Sequence, residues 1–329
     1  MSGPLVESIA HALGLFLIAY AAAAAAWGAR GLRTGPRRAV LIPLAAVGFV
    51  VPFFSPESPA WLKYVVVLQC PLLGFRLLDL HIGIEDWRTR SLGEWLAYLL
   101  NPAVIVYRLH KRQRPKPRGP AALLLARGLI EIAAGAWVLS WAFGREWGAA
   151  QGAWWESFWV EHAVKLAGIY LCVLDGGFAT LTGLCRLAGS PVADGTRHPI
   201  LAVTPAEFWR RYNMEAGRLL HANVFVPLGG RSRPATAMVG VFLINGVYHE
   251  YLASLMIGRV LGYQVLLFAI FGIAAAVTWR WRPRGWMAVV SWVGTVVFLG
   301  AVAVLFFMSA DAFMEWYTEQ VPWPLGAGD

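Results

Sequence analysis

One histidine of the chain lies inside a long apolar run. Residues 235–258 are apolar except for Asn245, His249 and Glu250. The run is long enough to cross a hydrocarbon layer of about 30 Å, and an ionisable side chain at such a depth marks a candidate functional site. Imidazole titrates near neutrality, so His249 suits a general base; the alternative is a histidine that only bonds a neighbouring helix. Asn245 lies one helical turn earlier on the same face, where it could hold the imidazole tautomer or reach an acceptor.

A polar and aromatic stretch, residues 204–226, precedes this run. Thr204, followed by Pro205 and then Glu207, predicts the start of a helix at this point. Basic side chains then share one helical face and aromatic side chains the other, which predicts a single amphipathic helix on a membrane surface. The basic face holds Arg210, Arg211, Met214 and Arg218, and the other holds Phe208, Trp209, Tyr212, Ala216, Leu219 and Leu220, with Asn213 at its edge. The Pro-Leu-Gly-Gly sequence at residues 227–230 is expected to end the helix.

Three short motifs lie in order along residues 208–251. They are Phe208-Trp209-Arg210-Arg211-Tyr212-Asn213, Val226-Pro227 and Asn245-Gly246-Val247-Tyr248-His249-Glu250-Tyr251. Their order and spacing resemble the membrane-bound O-acyltransferase family, and the resemblance covers residues 190–256. The Phe-Trp-Arg-Arg-x-Asn and Gly-x-x-His-Glu elements are most similar to the wax synthase branch, in which Trp usually stands at the place of Tyr212. The Val-Phe-Val-Pro-Leu-Gly-Gly-Arg segment is similar instead to the branch that acetylates surface polysaccharides.

The resemblance implies an acyl transfer from acyl-CoA, as co-substrate, to the hydroxyl of a hydrophobic alcohol. His249 would take the hydroxyl proton, and Asn213 would stabilise the developing oxyanion or orient the thioester. Glu250, which points about 100° away from His249 on a helix, is expected to bond a neighbouring segment. The residues expected to bind substrate or support the site are Asn245, Trp209, Tyr212, Phe208, Arg210, Arg211 and Glu250, with Arg218 beside the two other arginines as a contact for donor phosphates.

Other chemistries lack their motifs in the sequence. No G-x-S-x-G element is present, so direct transfer without an acyl-enzyme is favoured. The seven histidines show no H-x-x-x-H or H-x-x-E-H spacing, and no metal and no bound cofactor are expected. Two further functions stay open. One is transfer of an acetyl or other acyl group to a surface glycan or secreted metabolite. The other is a lipid carrier or transporter with His249 in a proton relay.

The composition predicts an all-α polytopic membrane protein, with 58% hydrophobic and 14% charged residues. We expect one transmembrane domain over residues 1–329, with a central tunnel as the family resemblance implies. About eight spans are predicted, at residues 5–29, 39–54, 61–82, 121–143, 159–186, 235–258, 261–278 and 286–308. Residues 92–109, interrupted by Asn101-Pro102, are predicted to form an interfacial or re-entrant helix.

The net charge of +9 follows the membrane topology and does not indicate nucleic-acid binding. Alternate loops, at residues 30–38, 83–120, 186–234 and 280–285, hold 22 of the 28 Lys and Arg residues. These loops are predicted to face the cytoplasm, with both termini on the opposite side, in a bacterial inner membrane or an equivalent membrane. Membrane lipids are therefore expected partners. The motif segment is predicted to face the cytoplasm, where a coenzyme A thioester is found.

Overall fold

The computed structural model describes residues 3–57, 59–83, 91–105, 118–145, 147, 157–190 and 192–318. Across these residues all regular structure is helical. The helices are α1 Gly3–Ala25, α2 Thr34–Val50, α3 Ala60–Gly83, α4 Leu92–Leu100, α5 Arg118–Phe143, α6 Phe158–Ile169, α7 Gly176–Leu187, α8 Pro205–Arg211, α9 Met214–Leu220, α10 Pro234–Ile257, α11 Tyr263–Thr278 and α12 Trp286–Met314.

Six of the predicted membrane spans are confirmed by helices of sufficient length and apolar character in the described chain. They are Pro4–Gly31, Thr34–Phe54, Ala60–Asp79, Gly119–Phe143, Phe158–Leu187 and Trp286–Met314. The chain is therefore a polytopic, helical, integral membrane protein. The two other predicted spans coincide with α10, which has 24 residues, and α11, which has 16. Polar residues inside α10 and the short length of α11 set these two helices apart from the six.

The predicted interfacial or re-entrant segment begins with a short helix, α4, which has nine residues. Its first turn is a capping box: the Ser91 hydroxyl accepts the Glu94 backbone N–H at 3.2 Å, and the Glu94 carboxylate accepts the Ser91 N–H at 2.8 Å. The helix ends before Asn101-Pro102, where the sequence predicts the interruption. Nine residues cannot cross a bilayer, which needs about 20. Residues 106–109 lie outside the described chain.

Two compact units make up the chain, namely Met1–Arg114 with Ser254–Arg259, and Pro115–Ala253 with Val260–Asp329. In the first unit α2 and α3 approach closely at a glycine pair. A Cβ added to Gly48 would lie 2.7 Å from the Cys70 carbonyl oxygen and 2.8 Å from the Gly74 nitrogen, so only glycine fits there. The Arg76 guanidinium of α3 donates to backbone carbonyls after α4, among them that of Val104 at 3.1 Å. The expectation of a single domain stays a prediction.

The second unit contains the motif segment, and a buried carboxylate fixes the loop before it. α6 and α7 are joined by one wide helical turn, Tyr170–Asp175. The Asp175 carboxylate forms an ion pair with the Arg127 guanidinium of α5 at 2.8 Å and accepts a hydrogen bond from the Thr196 hydroxyl at 2.8 Å. Asp175 thus connects the α5–α7 pair to the loop that leads into α8.

A polar network inside the second unit holds the segment after α12. Glu315 has a left-handed backbone with φ 47°, which reverses the chain, and residues 316–318 return to α6. We call residues 315–318 the C-terminal strap. The Lys165 ammonium of α6 lies 2.6 Å from Glu161 and 2.5 Å from the carbonyl oxygen of Trp316. The Glu161 carboxylate also accepts the backbone N–H of Thr318 at 3.0 Å and its hydroxyl at 2.9 Å.

Candidate active site

His249 lies in the second half of α10 with one ring nitrogen committed to the backbone. Its Nδ1 is 2.9 Å from the carbonyl oxygen of Asn245. A carbonyl only accepts hydrogen bonds, so Nδ1 carries the proton of the neutral ring and Nε2 carries the lone pair. The residues described give Nε2 no hydrogen-bond partner. The His249 ring packs 4.5 Å from the ring of Phe268 in α11. The imidazole is therefore held in the tautomer that leaves Nε2 able to accept a proton.

His162 shows what a purely structural histidine looks like in this protein. Its Nε2 lies 2.8 Å from the Gly300 carbonyl, so Nε2 donates and Nδ1 accepts. The Tyr317 hydroxyl lies 2.8 Å from Nδ1 and donates to it. Both nitrogens of His162 are thus occupied by protein groups, whereas His249 keeps one available.

Asn245 holds the imidazole tautomer from one helical turn earlier, which is the first of its two predicted roles. The Asn245 backbone carbonyl does so, through the spacing of four residues within α10. The hydrogen bonds of the described residues include none from the Asn245 side-chain amide. The amide therefore stays available to a bound molecule, which was the second of its two predicted roles.

Glu250 bonds a neighbouring segment, as the sequence predicts. Its Oε1 accepts the backbone N–H groups of Leu261 at 2.8 Å and Gly262 at 2.7 Å, and its Oε2 accepts that of Gln264 at 3.0 Å. A carboxylate at this place satisfies the otherwise unpaired donors at the start of α11 and complements the helix dipole. Glu250 thus holds α11, which carries Phe268, next to α10.

The prediction of one amphipathic helix from Thr204 is wrong. The start is as predicted, because the Thr204 hydroxyl accepts the Glu207 N–H at 3.2 Å. However, α8 ends at Arg211, and Asn213 takes a left-handed backbone conformation with φ 39° and ψ 60°. Asparagine tolerates this conformation better than most residues because its short side chain bonds the local backbone. The break divides the predicted helix into α8 and α9, so the residues predicted to share one basic face lie on two different helices.

Asn213 itself is the cap of α9. Its side-chain oxygen accepts the Ala216 N–H at 3.2 Å, which leaves the side-chain NH₂ group as a donor. The backbone at the bend is fixed on both sides, because the Arg197 N–H donates to the Arg211 carbonyl and the Met214 N–H to the Gly195 carbonyl, each at 2.8 Å. Within the described chain Asn213 and His249 are not hydrogen-bonded to each other, and the catalytic role of Asn213 stays a prediction.

Trp209 brings the motif segment into contact with the surroundings of His249. Its ring lies 5.2 Å from Phe242 of α10, and 5.0 Å and 6.0 Å from Phe271 and Phe268 of α11. Phe268 is also the ring that packs on His249. The Trp209 indole N–H is buried and has no hydrogen-bond partner among the described residues. Leaving such a donor unpaired costs about 1–3 kcal/mol, so a donor of this kind suits a bound polar molecule.

The other two predicted aromatic residues stack on each other and also contact the Trp209 ring, at 5.3 Å for Phe208 and 5.7 Å for Tyr212. Phe208 and Tyr212 lie 5.6 Å apart with nearly parallel rings, and Tyr212 also meets Phe178 of α7 at 6.0 Å. They support the bend at Asn213 and have no ring contact with His249 among the described residues.

Sequence reasoning missed Phe268, because nothing distinguishes this residue within an apolar helix.

The three arginines predicted to contact donor phosphates differ in whether a carboxylate of the protein already pairs with them. Arg211 is paired with Glu207 at 2.5 Å, and Arg218 with Glu215 at 3.0 Å. Burial opposes ionisation of the Glu207 carboxyl, but the Val203 backbone N–H and the Arg211 guanidinium outweigh it and hold its pKa below the usual value. Arg210 is exposed and has no carboxylate within ion-pair distance among the described residues.

Neither a metal-binding cluster nor a known relative indicates what the site does. No cluster of three or more His, Cys, Asp or Glu side chains able to hold a metal ion occurs in the described chain. No protein-family model matches the chain, and no curated protein matches it in sequence. Any statement about its activity therefore depends on its own residues and geometry.

Proposed function

We propose that the chain is a membrane-embedded O-acyltransferase similar to wax synthases of the membrane-bound O-acyltransferase family. It transfers an acyl group from acyl-CoA to the hydroxyl of a lipid-like alcohol. The observation that carries this proposal is the fixed tautomer of His249, with Nδ1 committed to the Asn245 carbonyl and Nε2 available. Packing against Phe268 keeps the base in apolar surroundings, where the neutral imidazole is favoured.

The proposed reaction needs one base and one donor. The hydroxyl proton of the alcohol moves to Nε2 of His249 while the oxygen attacks the thioester carbonyl carbon. The negative charge on the carbonyl oxygen is stabilised by the side-chain NH₂ group of Asn213, whose own oxygen is engaged in the α9 cap. When the C–S bond breaks, the leaving thiolate takes the proton from the imidazolium. The products are an ester and free coenzyme A, with no acyl-enzyme.

The proposal includes eight spans around a tunnel, cytoplasmic basic loops and a bacterial inner or equivalent membrane. Contacts in the second unit support the placement of two basic loops on one side. The Ala206 N–H of α8 donates to the Thr278 hydroxyl at the end of α11 at 3.2 Å. The Trp292 indole of α12 donates to the Ile200 carbonyl at 2.7 Å. These contacts bring the motif segment next to the end of α11 and the start of α12, which supports placing both basic loops on one side of the membrane.

The test uses purified protein in nanodiscs, a panel of acyl-CoAs and a panel of long-chain alcohols, sterols and diacylglycerol. Free thiol release and ester products are measured together. His249→Ala is expected to lower ester formation by at least about 100-fold, the usual contribution of a general base. His221→Ala is the matched control, since His221 is exposed and, among the described residues, its ring stacks only on Phe225, at 5.1 Å. It is expected to retain full turnover.

The outcomes separate the open functions. Full activity in a folded His249→Ala protein would refute the mechanism. Release of thiol from acetyl-CoA alone would replace the lipid alcohol by a glycan or metabolite acceptor. No thiol release from any donor, with the protein folded, would reject the transferase and favour a lipid carrier.

A further inference from the structure

Four exposed arginines lie on two neighbouring segments of the second unit. Arg280, Arg282 and Arg284 lie in the loop between α11 and α12, and Arg210 lies at the end of α8. We call these four residues the basic surface. The bond from the Ala206 N–H to Thr278 fixes the start of α8 beside this loop. Arg210 follows Ala206 by four residues, so it lies on the same helical face one turn further on.

The basic surface is held in place by backbone and aromatic groups. The Nη1 group of Arg282 donates to the carbonyl oxygens of Trp279 at 3.0 Å and Trp281 at 2.8 Å. The Arg280 guanidinium lies 4.6 Å from the centre of the Trp279 ring. These contacts orient two guanidinium groups without neutralising them, because neither partner is an anion.

Arg210 adds a third positive charge to this place, and it has no ion pair among the described residues. Partial burial and, after it, the positive charge of Arg282 lower the pKa of Arg210. The charge of Arg282 thus opposes that of Arg210, whereas Arg211 and Arg218 have their own carboxylates. An arrangement of this kind becomes favourable when an anion with several acceptor oxygens binds between the cations.

The surface next to the arginines is apolar, which indicates a lipid anion. Trp281 is 46% exposed, and Trp286, two residues after Arg284, is 73% exposed. A stripe of exposed side chains then continues along one face of α12 from Trp286 through Val289, Val290, Val293 and Val297. Tryptophan and arginine at the end of an exposed apolar helix face are typical of the headgroup level of a membrane. A water-soluble phosphate would make no use of this stripe, whereas an acyl tail would cover it.

We propose that Arg210 and Arg282 bind the phosphate of an anionic phospholipid headgroup, with the lipid tails along the exposed face of α12. The site goes beyond the acyltransfer reaction and does not depend on it. It makes the protein selective for anionic over zwitterionic lipid at this position.

The experiment titrates detergent-solubilised full-length protein with phosphatidylglycerol and, separately, with phosphatidylcholine, and counts bound lipid by native mass spectrometry. Phosphatidylglycerol is expected to bind more tightly than phosphatidylcholine, and added salt is expected to reduce the difference. Arg210→Gln/Arg282→Gln is expected to weaken phosphatidylglycerol binding by about 30-fold, from the usual contribution of two basic residues near a headgroup. Arg231→Gln/Arg259→Gln removes two exposed arginines elsewhere and is expected to leave this binding unchanged.

Three results would overturn the proposal. The first is equal binding of phosphatidylglycerol by the parent and by a folded Arg210→Gln/Arg282→Gln protein. The second is equal affinity for the two lipids. The third is displacement of phosphatidylglycerol by adenosine 3′,5′-bisphosphate at equal concentration, with the same dependence on Arg210 and Arg282, which would make the occupant a soluble phosphate.

Discussion

Replacing Lys165 by Met is expected to destabilise the protein strongly. The side chains of Lys165 and Glu161 are 2% and 0% exposed, and their charged atoms lie 2.6 Å apart. Without the ammonium, the donors that the described residues still give the Glu161 carboxylate are the two of Thr318, both on Oε1. Its Oε2 is buried with no hydrogen-bond partner in the described chain. An uncompensated buried carboxylate of this kind costs about 3–5 kcal/mol.

The prediction is tested by reversible unfolding in mixed micelles, followed by tryptophan fluorescence. Lys165→Met is expected to lower the free energy of unfolding by about 4 kcal/mol. In Glu161→Gln/Lys165→Met the loss is expected to be smaller than in Lys165→Met by at least about 2 kcal/mol, because the amide carries no charge. Lys63→Met is the matched control. The Lys63 ammonium lies 2.8 Å from the Glu57 carboxylate, but the Glu57 side chain is 86% exposed, so water solvates the carboxylate when the ammonium is removed. The substitution is expected to cost under about 1 kcal/mol. A double variant as unstable as Lys165→Met would refute the role of the buried charge.

Two further substitutions test the supports of the site. Glu250→Gln replaces a carboxylate that accepts three backbone N–H groups by an amide with one acceptor oxygen, so unfolding at lower denaturant and a loss of about 2 kcal/mol are expected; an unchanged midpoint would contradict the capping role. Asn213→Gly keeps the left-handed backbone and is expected to cost well under 1 kcal/mol, whereas Asn213→Ala loses the cap and strains the backbone, at about 2 kcal/mol. Because the glycine variant stays folded, its thioester turnover isolates the chemistry of the amide, and full turnover would remove Asn213 from the mechanism.

Features encoded in neighbouring residues could be predicted from the sequence. The start of α8 at Thr204 follows from a cap, a proline and a glutamate within one turn, and the structure forms it so. The end of α4 before Asn101-Pro102 and the six confirmed spans depend on local composition in the same way. Glu250 could be assigned to a neighbouring segment because adjacent residues on a helix point in different directions.

Features that depend on backbone atoms or distant packing could not be predicted. The helical period continues through Asn213, so the pattern favours one helix, and only the known tolerance of asparagine for left-handed backbone hints at the break. The group that fixes the His249 tautomer is a carbonyl, which every residue type carries, so the identity of Asn245 gives no indication of it. Phe268 touches both His249 and Trp209 only because α8 and α10 pack on α11.

The C-terminal strap also bears on how the chain is synthesised and inserted. Glu161 and Thr318 are 157 residues apart, so α6 emerges from the ribosome long before its partner exists. At about 5–20 residues per second the interval is roughly 8–30 s. During that time Glu161 and Lys165, four residues apart on one helix, can neutralise only each other. The strap then completes a network that is already in the membrane, which makes its docking a late step in the maturation of the protein.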